Sequence, residues 1–269
     1  MSKKIIDCFI FYNEIDLLTY RLNILDPIVD YFVIVESTHK HMGNETELVF
    51  NNNKQLFERF KNKIIHIIVD DFPYKVPNID YSKDEHWINE NFHRNCISRG
   101  IDLIKNKNDN DLIIVSDLDE IPDPTTLLKI KNGEIIVDIN CFEMDCYYYN
   151  LNTKIIDKWF KSKIFTFNRY KNFDQSLTDI RMSHTPSIKI GGWHLSYFGD
   201  STFIQQKVER CLHRDLLNDD HKDIQKIENI VSSGKDLYNR NCINIQKITI
   251  VDNDYLPPEY DIYLTKFYA

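Results

Sequence analysis

Three carboxylates stand within four residues at Asp117-Leu118-Asp119-Glu120, directly after the apolar run Leu112-Ile113-Ile114-Val115-Ser116. Such a run reads as a buried strand, and polar residues at the carboxyl end of a buried strand project into a crevice. Like charges that close repel, and a divalent cation relieves the repulsion; oxygen ligands favour Mg²⁺ or Mn²⁺ over zinc. Bound to a diphosphate, the ion stabilises the charge that grows as a nucleoside diphosphate departs, which is the chemistry of sugar transfer from a nucleotide sugar. The plainer alternative is that Asp119 or Asp123 caps the helix suggested by Pro124-Thr125-Thr126-Leu127, with Asp117 solvated.

The elements that must position this turn form a β-α series. Residues 5–12 read as a strand, followed by apolar Ile15, Leu18, Leu22 and Leu25 at helical spacing. Residues 30–36 and 64–69 are further buried strands, with a short helical stretch near 54–60, and a long helix from His86 to Ile104 precedes the fourth strand. Buried strands alternating with helices imply an α/β fold with a parallel sheet covered on both faces. Ligands then bind beyond the strand ends, at Asn13-Glu14, Glu36-Ser37-Thr38, Asp70-Asp71 and the acidic turn. After residue 120 the pattern changes: 141–151 and 159–167 are aromatic strand candidates suited to a mixed sheet extension. Residues 203–217 and 221–231 read as helices and 245–251 as a last strand. Residues 70–84, with Pro73 and Pro77, read as a long loop of the kind that covers a site.

The chain of 269 residues fits one domain (1–269), with a nucleotide-binding half at 1–120 and an acceptor-side half at 121–269. A net charge of -8 and a pI near 5.6 argue against a nucleic-acid partner. Six cysteines (Cys8, Cys96, Cys141, Cys146, Cys211, Cys242) include no C-x-x-C pair, and Cys8 and Cys96 lie in apolar segments as buried thiols. The N-terminal run reaches Asn13-Glu14 too soon for a signal peptide or membrane span, so the expected compartment is reducing and cytoplasmic.

The chain resembles glycosyltransferase family 17. The resemblance rests on Glu14-Ile15-Asp16-Leu17-Leu18 with Arg21-Leu22, residues 29–37 (VDYFVIVES), Asp117-Leu118-Asp119-Glu120-Ile121-Pro122, and Gly191-Gly192-Trp193-His194, in that order along the chain. It implies a GT-A-like, Rossmann-type nucleotide-sugar-binding fold with a mixed central sheet and C-terminal helices. It also implies inverting transfer from a UDP-sugar, by default UDP-N-acetylglucosamine, to a glycan or glycoconjugate hydroxyl, with Mn²⁺ or Mg²⁺ as cofactor. His194 would complete a metal shell with Asp117 and Asp119. Glu120 matches the motif and is the candidate general base, with Asp145 and Asp200 as alternatives.

Around that core, Tyr12 would stack on the uracil and Asn13 and Glu14 would contact it, although Glu14 equally suits the first turn of a helix. Glu36 would accept from the ribose hydroxyls by analogy with other nucleotide-binding α/β proteins. Arg94 would neutralise the diphosphate or hold Asp117, its plainer role being an internal pair with Glu90. Trp193 would stack on a sugar face, with core packing as its plainer role. Lys158, Lys163 and Arg181 are further phosphate candidates that also read as surface charge.

Two rival classes share these features. A haloacid-dehalogenase-type phosphatase also runs a hydrophobic strand into D-x-D, but there the motif opens the domain, whereas three β-α units precede it here. A non-catalytic glycan- or nucleotide-binding protein could keep the fold without turnover.

Overall fold

The structure is a computed structural model that describes residues 3–209 and 223–268, with the side chain of residue 209 excluded. Its strands are β1 (Ile5–Ile10), β2 (Tyr31–Ser37), β3 (Ile64–Val69), β4 (Leu112–Asp117), β5 (Glu120–Pro122), β6 (Ile139–Tyr148), β7 (Thr153–Trp159), β8 (Lys163–Thr166), β9 (Ser187–Ser196) and β10 (Ile245–Lys247). They join one mixed sheet ordered β10-β7-β6-β8-β4-β1-β2-β3, with β9 paired to both β5 and β6. The first four strands are mutually parallel, as continuous apolar runs flanked by helices require. Beyond β4 the pairing turns antiparallel through β8, β6 and β7. One core, around Phe9, Phe32, Ile114 and Trp193, fills one face. A second, around Cys8, Val33, Ile97 and Val115, fills the other.

The helix Ile15–Leu25 stands where its spacing puts it. The long helix of residues 86–104 is two helices, Glu85–Asn95 and Ile97–Leu103, with Cys96 at φ -64°, ψ -10° between them. The second helix packs closely on the sheet: a Cβ on Gly100 would lie 2.3 Å from Val33 Cγ1. The loop of residues 70–84 is fastened down. Asn89 accepts from the Tyr74 N–H and donates to the carbonyls of Tyr74 and His41, and Arg99 holds Asp71 through both guanidinium nitrogens.

The second half departs further from its sequence pattern. The run of residues 159–167 splits between the end of β7 and β8, and β7 itself lacks the alternation that would have announced it, with Ile156 59% exposed. The expected helix of residues 203–217 is Ser201–Glu209 as far as it is described, and its continuation, Cys211 and the start of the 221–231 helix lie outside the described residues; Ile224–Ser233 follows. The described cysteines are all free, and Cys8 and Cys96 are buried. Among the described residues no helix is long and apolar enough to cross a membrane.

The acidic turn does not run straight into its helix. Residues 120–122 form a short strand against β9, setting Glu120 opposite His194, Ile121 opposite Trp193 and Pro122 opposite Gly192. Gly192 adopts φ +134°, and a Cβ there would lie 2.1 Å from the Ile121 carbonyl oxygen. Gly192→Ala is therefore expected to cost at least about 1–3 kcal/mol by overpacking a rigid strand pair, read as a lower urea midpoint at unchanged m-value. An unchanged midpoint would show that β5 can move aside freely.

Candidate active site

The turn hangs on a buried arginine. Arg21, inward on the first helix and fully buried, grips Asp7 of β1: Nε donates to Oδ2 at 2.9 Å and Nη2 to Oδ1 at 2.6 Å. Nη2 also donates to Ser116 Oγ at 2.7 Å. Nη1 reaches the carbonyl oxygens of Asp117, Leu118 and Glu120 at 2.9, 3.0 and 2.9 Å. Phe9 lies under the guanidinium, 4.4 Å from ring centroid to Cζ. Backbone oxygens of the turn are thus satisfied by Arg21, which leaves its carboxylates to be met by other side chains.

Each carboxylate meets a cation. Asp117 accepts from Arg94 Nη2 at 3.0 Å and Arg181 Nη2 at 2.7 Å. Partial burial alone would raise its carboxyl, but the two guanidinium groups outweigh that and hold it well below the usual range. Arg94 also pairs with Glu90 at 2.9 Å, so both of its non-phosphate readings occur together. Glu120 is 1% exposed and both its oxygens are taken. Arg181 donates to them at 2.7 and 2.6 Å, the Trp159 indole N–H donates to Oε1, and the Asp117 N–H donates to Oε2 at 3.1 Å. A carboxylate so engaged is poorly placed to take a proton, which tells against Glu120 as general base.

Asp119 faces a different pair. Lys207 Nζ lies 2.8 Å from Oδ2, and His194 Nε2 lies 3.6 Å from Oδ1. Burial would raise this carboxyl too, yet Lys207 and His194 leave it lowered overall. The Lys207 ammonium is raised despite its burial, chiefly by Asp119 and then Glu14, whose Oε1 is 3.6 Å away. His194 is held from behind: Nδ1 is 3.5 Å from Cys146 Sγ, and its ring lies 4.4 Å from that of Trp159. Among the described residues no three His, Cys, Asp or Glu side chains converge as a metal cluster. Asp117 is separated from the expected ligand set because two arginines hold its oxygens. Asp119 and His194 remain as adjacent oxygen and nitrogen donors, a fit for two protein ligands to an ion that a diphosphate would complete.

Several expected contacts are committed elsewhere. Glu36 is buried and accepts from the N–H groups of Phe50 and Asn51 at 2.7 and 3.1 Å and pairs with His66 at 3.1 Å, so it ties down the segment after β2 instead of offering itself to a ribose. Trp193 is 1% exposed, packs on Tyr255 and donates to that residue's carbonyl at 3.1 Å; it is core and not a sugar platform. Lys163 is buried and donates to the Ser183 carbonyl at 2.8 Å, and Lys158 pairs with Asp145, so neither is a free phosphate ligand. Asp145 is also held by Lys154. Asp123 caps the helix Pro124–Lys131, accepting from the Thr126 N–H at 2.8 Å, while Asp119 caps nothing. Tyr12 bonds Thr46 at 3.1 Å, and Asn13 donates its N–H to Glu14 Oε2 at 3.1 Å. Arg181, read as a further phosphate candidate, and Lys207, which the sequence did not single out, join Arg94 as cations of the turn. Only their fold-dependent arrival beside it marks them.

A mixed α/β sheet that carries a carboxylate turn balanced by arginines, a lysine and a histidine at a strand end defines an α/β protein with its candidate ligand site at the carboxyl end of the strands. The sequence model for glycosyltransferase family 17 matches residues 1–242, and the chain belongs to that family. It is 29% identical over 138 residues to β-1,4-mannosyl-glycoprotein 4-β-N-acetylglucosaminyltransferase of Rattus norvegicus and equally to that of Homo sapiens. Those matches span 49% of this chain and 24% and 25% of the relatives' own length. Among solved structures, an inositol-1-phosphate CTP transferase from T. maritima aligns over 84% of this chain and 96% of its own at 11% identity and a TM-score of 0.38. A 4-diphosphocytidyl-2C-methyl-D-erythritol synthase aligns over 71% and 90% at 12% identity and a TM-score of 0.34. Both scores are too low to bear on function.

Replacing Arg181 by Met leaves Glu120 and Asp117 short of their shared counter-charge inside the protein. A loss of about 3–5 kcal/mol is expected, because an unpartnered buried charge costs more than the pair contributed. Urea unfolding at pH 7 measures it. A midpoint within error of wild type would show that Glu120 has another counter-charge.

Proposed function

We propose that this family 17 member is a glycosyltransferase that moves a sugar, by preference N-acetylglucosamine, from a UDP-sugar to a glycan hydroxyl with inversion, in a GT-A-type fold and with Mn²⁺ or Mg²⁺. The adjacent donors Asp119 Oδ1 and His194 Nε2, beside the arginine-held Asp117, carry this reading. These two residues would hold the ion, which when bound supplies positive charge against the departing diphosphate. The names of the curated relatives support the N-acetylglucosamine preference.

The chain's own residues divide the remaining work. Arg21 fixes the turn, and Asp117, held by Arg94 and Arg181, presents a constrained carboxylate edge to the nucleotide. Tyr12, Asn13 and Glu14, beyond the end of β1, border the place for the uracil. Glu120 positions Arg181. An inverting transfer needs a base for the acceptor proton. Of the other two candidates, Asp145 is buried between Lys154 and Lys158, whereas Asp200 is exposed and, among the described residues, accepts at Oδ1 from the Phe203 N–H at 2.8 Å. Asp200 is therefore the better candidate base. The unpaired described cysteines fit a reducing, cytoplasmic setting.

A ligand that binds only the native state raises its melting temperature, by about 2.7 kcal/mol of stabilisation at a hundredfold excess over Kd. UDP with Mn²⁺ is expected to raise the Tm clearly, UDP or Mn²⁺ alone to do less, and Asp119→Ala to abolish the joint effect along with UDP release from UDP-N-acetylglucosamine. Stabilisation by GDP but not UDP would sink the donor assignment. An undiminished response to UDP in EDTA would sink the metal.

A further inference from the structure

The cations around the turn are of two kinds. Arg94 and Arg181 are planar forks, each held by two carboxylates: Arg94 by Glu90 and Asp117, Arg181 by Asp117 and Glu120. Lys207 is a point charge on a flexible stem, from the helix Ser201–Glu209, and its side chain is 28% exposed where those of the arginines are 5% and 6%. Its ammonium takes Asp119 Oδ2 at 2.8 Å, lies 3.6 Å from Glu14 and stands 5.5 Å over the Tyr197 ring. It therefore sits on the carboxylate whose other oxygen faces His194. A dication placed between Asp119 and His194 would share that carboxylate with a second positive charge a few ångströms away.

Resting on the reading above that Asp119 and His194 take a divalent cation, we propose that Lys207 is a displaceable counter-ion that makes cation and nucleoside diphosphate bind only together. Alone, a dication competes with the ammonium for Asp119 and binds weakly. A diphosphate supplies fresh negative charge for the ammonium to pair with, so that Lys207 turns from Asp119 to the phosphates and the competition ends. Lys207 thus acts as a phosphate-contacting positioning residue, and no bond is made or broken by it. A lysine suits this role better than an arginine, because its strongly hydrated point charge imposes no planar geometry and can change partner at little cost.

The test is Mn²⁺ binding followed by the electron paramagnetic resonance signal of free Mn²⁺, with and without UDP, for the wild type, Lys207→Met, Lys207→Gln and Lys207→Arg. For the wild type, UDP is expected to tighten Mn²⁺ by about tenfold or more, within the usual span of coupling between two ligands. Both neutral variants should bind Mn²⁺ alone several-fold more tightly than wild type, and UDP should then tighten it little. Lys207→Arg should restore most of the coupling, which a merely structural role would not require. The proposal is overturned if the neutral variants bind Mn²⁺ alone no better than wild type, or if they keep the full effect of UDP. Circular dichroism selects whichever neutral variant keeps the wild-type fold. If the wild type binds UDP but never Mn²⁺ in its presence, the metal reading itself fails and Lys207 goes with it. Tight UDP binding in EDTA that Lys207→Met destroys would show that the lysine replaces the ion instead of yielding to it, and would overturn the proposal.

Discussion

The grip of Arg21 on Asp7 and on three backbone carbonyls of the acidic turn is the constraint from which the site follows. A guanidinium buried beneath a sheet must find acceptors for all five N–H groups or carry a heavy desolvation cost. Here one carboxylate, one hydroxyl and the carbonyls of Asp117, Leu118 and Glu120 supply them. Buried ion pairs often add little net stability, because desolvation offsets their attraction, and what this one contributes is shape. The three carbonyls can converge on one nitrogen only if the chain curls after β4, and that curl turns the carboxylates of residues 117, 119 and 120 toward Arg94, Arg181 and Lys207.

Buried or half-buried, those carboxylates need counter-charge, and the fold supplies it unevenly. Arg181 locks Glu120 with two nitrogens and shares Asp117 with Arg94, whereas among the described residues Asp119 meets a lysine and a histidine. The locked pairs behave as structure, since breaking either would strand a buried charge. The Asp119 side of the turn is where charge can be exchanged. The turn is thus rigid on one side and open to exchange on the other.

The parallel half of the sheet was legible in the sequence because its strands are uninterrupted apolar runs and its first helix keeps one apolar stripe. The D-x-D position could be found for the same reason. What could not be read were the partners. Glu36 ends its strand as a ribose-binding acid would, and nothing local reveals that the N–H groups of Phe50 and Asn51 arrive to consume it. Arg181 sits in a short helix 61 residues from Glu120, so its role exists only in three dimensions. Lys207 is one among many lysines in a lysine-rich chain. β7 escaped notice because its exposed Ile156 and charged neighbours erase the alternation on which strand recognition depends.

The Gly191-Gly192-Trp193-His194 segment shows how one stretch serves both core and site. Strand geometry sends adjacent side chains to opposite faces, so a strand that buries Trp193 against Tyr255 must present His194 to the other side. For His194 to arrive beside Asp119, β9 has to approach β5 so closely that no side chain fits at residue 192. The Leu195 N–H then bonds the Asp119 carbonyl at 2.8 Å, which fixes the backbone of Asp119 to the strand that carries His194. Glycine, tryptophan and histidine are thus three parts of a single requirement: the distance between Asp119 and His194 is set by backbone pairing and by a packed indole. It does not depend on the ligand that the two side chains meet.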